Sequence, residues 1–182
     1  DGNHFFIGTG SGLFRAGIGD GSLKLLSDET VESISTPVHE LYYHVVSKQL
    51  FIGSYKEGVL IYDMEGTGKI IPCQSPNNVE INQIVALNAH ELLVATGGKG
   101  VYKLDVNTYM SEPYITANYS SYNGMNGNNI NDIYVDEEER IWLANYPTGI
   151  TVRNNRYGSY DLIRHSLGNS RSLVNDQVHD VL

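Results

Sequence analysis

At 182 residues, 41% hydrophobic and 18% charged, the chain is long enough to bury a core and too apolar for a disordered segment. Its formal net charge of -9 excludes a broadly basic surface of the kind that displaces counterions from nucleic-acid phosphates. A single cysteine, Cys73, excludes an internal disulfide, and no apolar run approaches the ~18 residues of a membrane span.

Nineteen glycines and thirteen tyrosines lean towards strands joined by turns. From the start, Phe-Phe-Ile-Gly-Thr (5–9) and Gly-Leu-Phe-Arg (12–15) read as two short strands. Gly-Ile-Gly-Asp-Gly (17–21) follows; it opens no helix, so it reads as a hairpin turn and not a phosphate loop. The first complete unit is Val-His-Glu-Leu-Tyr-Tyr (38–43), Gln-Leu-Phe-Ile-Gly-Ser (49–54) and Gly-Val-Leu-Ile-Tyr-Asp (58–63). It recurs at 81–86, 91–96 and 100–105, and most clearly as Asn-Ile-Asn-Asp-Ile-Tyr-Val-Asp (129–136), Arg-Ile-Trp-Leu-Ala-Asn (140–145) and Gly-Ile-Thr-Val-Arg (149–153). Fourth strands are expected at 23–26, 69–73, 113–116 and 160–163. Residues 175–182 repeat only the first element.

The unit-marking glycines lie at 12, 58, 100 and 149, at intervals of 46, 42 and 49 residues, the period of a propeller blade. Pro72 and Pro113 fall in or beside the fourth strand, where a blade has its outer edge and proline is tolerated. The expected fold is all-β, with β-propeller blades of four antiparallel strands. The sequence holds a partial blade at 1–30, blades at about 38–74, 81–117 and 130–165, and the first strand of a further blade at 175–182. That is about four blades' worth, and the stop inside a strand favours an arc of a larger ring over a closed ring of four.

Polar residues recur in phase with the repeat. Glu40, Gln83, Asp132 and Asp180 share one position, and recurrence suggests a hydrogen bond that orients a loop in every blade, because a buried carboxylate needs partners. His39, Asn82, Asn131 and His179 share the preceding position and read as structural polar sites, with no second ligand spaced for a metal. Phe6, Phe51, Leu93 and Trp142 are expected to pack between blades. The acidic run 136–140 reads as a solvated turn, since it lacks the spacing of a calcium loop. Cys73, in an apolar run, reads as a buried hydrophobe. No catalytic motif is present, so the chain reads as no enzyme, and no cofactor or metal is expected.

The Asn-Asp-Ile-Tyr-Val-Asp, Arg-Ile-Trp-Leu-Ala and Gly-Ile elements of 131–150, and Ser-Leu-Val-Asn-Asp-Gln-Val-His-Asp-Val-Leu at 172–182, resemble the two-component regulator propeller repeat. The resemblance implies the periplasmic sensor of a hybrid two-component protein: seven-bladed propellers, then an immunoglobulin-like domain, a membrane helix and a histidine kinase. It implies recognition of oligosaccharides from polysaccharide breakdown. Its partners would be the remaining blades of the parent propeller and a second sensor in a homodimer.

In a propeller the loops entering the first strand and joining the second and third strands share a face. Aromatic platforms for sugar C–H faces and amides for hydroxyls occur there, giving the candidate ligand-binding residues Tyr55, Lys56, Lys99, Tyr119, Tyr122, Asn123, Asn145 and Tyr146, with the lysines suited to an acidic sugar or carboxylate. Two alternatives use the same fold: a protein–protein interaction scaffold with a broad apolar patch, and a propeller lyase or hydrolase with convergent His and carboxylates.

Overall fold

The structure, a computed structural model, describes residues 4–17, 23–25, 34–64, 69–117, 124–125 and 127–182. Its strands run in chain order through four antiparallel sheets. The first sheet holds β1 (His4–Thr9), β2 (Gly12–Gly17) and β3 (Leu23–Leu25). The second blade is β4 (Val38–His44), β5 (Gln49–Ser54), β6 (Val59–Asp63) and β7 (Ile70–Pro72). The third is β8 (Ile81–Ala86), β9 (Glu91–Thr96), β10 (Val101–Asp105) and β11 (Ser111–Ile115), and the fourth is β12 (Ile130–Val135), β13 (Arg140–Asn145), β14 (Gly149–Asn154) and β15 (Ser159–Ile163). Each blade is a meander whose strands pair only with their chain neighbours. Pro72 and Pro113 lie on edge strands, β7 and β11, where a missing N–H breaks no inner ladder.

Strand period 2 sends alternate side chains of each sheet to opposite neighbours. Phe51, Val59, Ile61 and Cys73 of the second blade meet Ile81, Ile84, Leu92, Val94 and Leu104 of the third in one core. Leu93, Ala95, Val101 and Ile115 meet Ile130, Ile133, Ile141 and Leu143 in the next. Leu13 and Ile34 cover Val38, Ile52 and Leu60 in the same way. The core is therefore a series of slabs between sheets, which is how propeller blades stack. Cys73 is buried and free, and burial pushes its thiol up to about 12.

One device registers each joint. In β4, β8 and β12 the ladder skips residues 39, 82 and 131, a bulge that re-aims the side chains around it. The next residue then accepts a hydrogen bond from a peptide N–H of the following blade. Ile84 N donates to Glu40 Oε1 at 3.4 Å, Ile133 N to Gln83 Oε1, and Val181 N to Asp132 Oδ2 at 2.8 Å. The bulged asparagines add a second bond, from Asn82 Nδ2 to Ile130 O at 2.7 Å and from Asn131 Nδ2 to Val178 O at 3.0 Å. The recurring polar pair thus couples blades and does not orient a loop within one.

Residues 175–182 occupy the station on the fourth blade that β12 occupies on the third, but carry no strand ladder among the described residues. A ladder needs the second strand of the same blade. At the opposite end, Phe5 and Ile7 are 57% and 40% exposed on the uncovered face of the first sheet.

Candidate functional site

The loop face is built by the end of each second strand. Ser54 Oγ donates to Gly58 O at 3.0 Å and Thr96 Oγ1 to Gly100 O at 2.7 Å, closing each loop on itself. Gly58 has φ +76°, and a Cβ there would lie 1.8 Å from Pro76 O; at Gly100, with φ +81°, it would lie 2.4 Å from Ile115 O. Only glycine combines that left-handed backbone with so close an approach, which explains the repeated glycine. The residue after the second strand then reaches the loop that enters the first: Tyr55 N donates to Pro37 O and Gly97 N to Glu80 O, each at 2.9 Å, as does Tyr146 N to Asn129 O. The two loop types share a face, as the repeat predicts.

Between the second and third blades this face opens into a cleft of about 370 Å³ lined by Tyr55, Lys56, Asn78, Val79, Glu80 and Gly97. Tyr55 is 44% exposed, and its ring lies 5.9 Å from that of His39. His39 Nδ1 is 2.7 Å from Glu80 Oε1, a side-chain contact across the joint beside the cleft. Asn78 N donates to Lys56 O at 2.9 Å, and Lys99 Nζ donates to Asn77 O at 2.7 Å. The result is an aromatic face, a carboxylate, an amide and an exposed ammonium around one hollow. Such a set can stack on an apolar ring face while bonding hydroxyl groups.

Of the sequence candidates, Tyr55 and Lys56 line this cleft and Lys99 borders it through Asn77. Tyr146 is half-exposed two joints further on, its ring 6.2 Å from that of His179. Asn145 departs from expectation: it ends β13 fully buried, its amide donating to Gly127 O at 3.1 Å, because it stands where the other blades place Ser54 and Thr96. It offers no surface to a ligand. Tyr119, Tyr122 and Asn123 lie outside the described residues, as does most of the 17–21 turn. Asn78 and Gly97 fall in the loops 75–78 and 96–99 that the repeat places on the ligand face, whereas Val79 and Glu80 lie outside them. Their only sequence signal was the alignment of loop positions between neighbouring units, which places 78–80 beside 97.

A second hollow, about 420 Å³, lies on the uncovered face of the fourth blade between Tyr134, Trp142, Ile150, Asp180, Val181 and Leu182. Here Asp136 is no solvated turn residue. Burial opposes its charge, but bonds from Trp142 Nε1 at 2.7 Å, Arg140 N at 2.9 Å and Arg140 Nε at 2.7 Å prevail and hold the carboxyl down at about 2. Asp132 goes the other way: burial, with the neighbouring Asp180 carboxylate, raises it to about 6 against the bond from Val181 N. Burial likewise raises Glu40. Among the described residues no three His, Cys, Asp or Glu side chains converge for a metal.

No family model matches the sequence, and no curated protein matches it. The fold, however, is that of extracellular domains of known structure. Over its whole length the chain superposes with a TM-score of 0.74 and 16% identity on the extracellular domain of a putative one-component system, BT4673, from B. thetaiotaomicron. A second structure of that extracellular domain, described as a putative hybrid two-component system, matches 79% of the chain at TM-score 0.63 and 23% identity. The extracellular domain of another putative hybrid two-component system of B. thetaiotaomicron, BT3049, matches 96% at TM-score 0.53 and 17% identity. The chain spans 23%, 19% and 28% of those structures respectively.

Proposed function

We propose that this chain is a ligand-sensing arc of a larger propeller in the periplasmic part of a hybrid two-component signalling protein, with the kinase beyond this chain. In this reading the cleft between the second and third blades takes an oligosaccharide from polysaccharide breakdown. The observation that carries the ligand is the cleft itself, where the Tyr55 ring stands open beside Lys56, Asn78 and Glu80. The likeness to extracellular domains of two-component systems supports the sensory setting.

Isothermal titration against plant, host and microbial oligosaccharides tests it. One class should bind the wild-type chain, and Tyr55→Ala should weaken that class at least about tenfold, the ~1.4 kcal/mol expected for a lost stacking contact. Lys56→Gln should weaken only acidic sugars. Binding that is unchanged in Tyr55→Ala would move the site elsewhere, and no binding by any class would end the saccharide reading. The alternative, a protein-interaction scaffold, predicts association without saccharide.

A further inference from the structure

We infer that Gly97 sets the specificity of the cleft: the space it leaves open over Glu80 Oε2 admits a ring edge whose hydroxyl donates to that oxygen. The inference rests on the saccharide reading of this cleft, and adds which atom recognises the sugar and which residue lets it in.

The second strands of the three complete blades end at Ser54, Thr96 and Asn145, and the residues that follow are Tyr55, Gly97 and Tyr146. All three hold the same backbone station, because each N–H donates at 2.9 Å to the loop that enters its own blade. Tyrosine therefore suits this station twice. Nothing in the backbone asks for glycine in the third blade, since Gly97 lies outside the left-handed region that Gly58, Gly98 and Gly100 occupy. Crowding does not ask for it either. The nearest neighbours of a Cβ at 97 would be Glu80 Cβ at 3.3 Å, Glu80 Oε2 at 3.4 Å and Asn82 Nδ2 at 3.8 Å, all side-chain atoms. A Cβ at Gly58, by contrast, would meet Pro76 O at 1.8 Å. A glycine that the fold does not need costs stability through the entropy of the unfolded chain. What it does here is leave one wall of the cleft bare.

The same contacts show what the bare wall exposes. Glu80 Oε1 takes the His39 contact at 2.7 Å, and Oε2 is the oxygen on the Gly97 side. Oε2 has no hydrogen-bond partner among the described residues, and the Glu80 side chain is 35% exposed. A carboxylate only accepts, so its complement is a hydroxyl, and a bond to a charged acceptor is stronger than one between neutral groups. The Tyr55 ring borders the same hollow, so a sugar stacked on it has its edge hydroxyls within the cleft. A side chain at 97 would take their place. Its Cβ would stand against Oε2, and a phenol like those of Tyr55 and Tyr146 would cover that oxygen from the third blade.

Titration with xylotetraose, mannotetraose and a hyaluronan tetrasaccharide, as plant, microbial and host probes, tests this. At least one probe should bind the wild-type chain. Gly97→Tyr, which copies the neighbouring blades, should weaken that probe at least about a hundredfold, and Gly97→Ala by less than about fivefold. Glu80→Gln keeps the size of the side chain and should weaken it about tenfold. Gly97 is exposed, so both of its variants should melt within about 4 °C of wild type. Wild-type affinity in Gly97→Tyr or in Glu80→Gln would overturn the inference, while a loss in Tyr55→Ala would still uphold the saccharide reading. A Gly97→Tyr chain that fails to fold would overturn it too, by showing that the glycine serves the fold. No binding of any probe by wild type would overturn the inference and the reading together.

Discussion

The joint between the second and third blades and the joint between the fourth blade and residues 175–182 use the same hydrogen-bonding parts to different effect. In the first, Glu40 holds Ile84 N and a continuous slab from Phe51 to Leu104 is sealed from water. In the second, Asp132 holds Val181 N, yet Trp142 and Ile150 remain half-open and Leu182 is fully exposed. Hydrogen bonds set the register of a joint, and the apolar area contributed by the remaining strands supplies most of its strength.

The largest test of that contrast sets equivalent residues side by side. Phe51→Ala should cost about 3–5 kcal/mol in urea denaturation, as a large cavity in a sealed core does. Trp142→Ala should cost about 1–2 kcal/mol, because this side chain is only partly buried. Gly58→Ala should cost about 2–3 kcal/mol, since its Cβ meets Pro76 O and its backbone is left-handed. A melt within a few tenths of wild type would show that this loop gives way easily. Gln83→Ala removes the acceptor of Ile133 N and should cost about 1–2 kcal/mol in the same assay.

The smallest effect is one of pH. Asp132 keeps its proton in the folded chain up to about 6, against 3.8 for an ordinary aspartate. Between those values the native state holds a proton that the unfolded state has released, so stability falls as pH rises through the window. The full shift would be worth about 3 kcal/mol, and solvent screening of the adjacent carboxylates reduces the expected loss to the order of 1 kcal/mol. Melts of Asp132→Asn should lack that part of the slope. An identical slope in the variant would assign it to Glu40, which burial also raises.

The repeat made much of this legible. The phase of Glu40, Gln83 and Asp132 marked a recurring bond, and the glycines at 58, 100 and 149 marked a fixed backbone feature. Phe51 and Leu93 were readable as interblade core because strand alternation decides which neighbour they face. The partner of each bond was not readable: Ile84, Ile133 and Val181 offer only a peptide N–H, which leaves no trace in sequence. Nor was the burial of Asn145, where an amide replaces the hydroxyl of Ser54 and Thr96 and turns inward to Gly127 O. Asp136 looked like any acidic turn residue until folding brought Trp142 Nε1 to it. The cleft escaped for a related reason, because it joins Tyr55 and Lys56 of the second unit to Asn78, Val79, Glu80 and Gly97 of the third.

Because Glu40, Gln83 and Asp132, with Asn82 and Asn131, grip the main chain of the neighbouring blade, these bonds ask nothing of its side chains. A blade can therefore follow any other that presents an extended first strand and an apolar face, much as pieces of track join whatever is built on them. Units of this kind can be duplicated, exchanged or drift apart in sequence while the joint stays sound. The three complete blades here, alike in architecture and dissimilar in most residues, are an instance of that freedom.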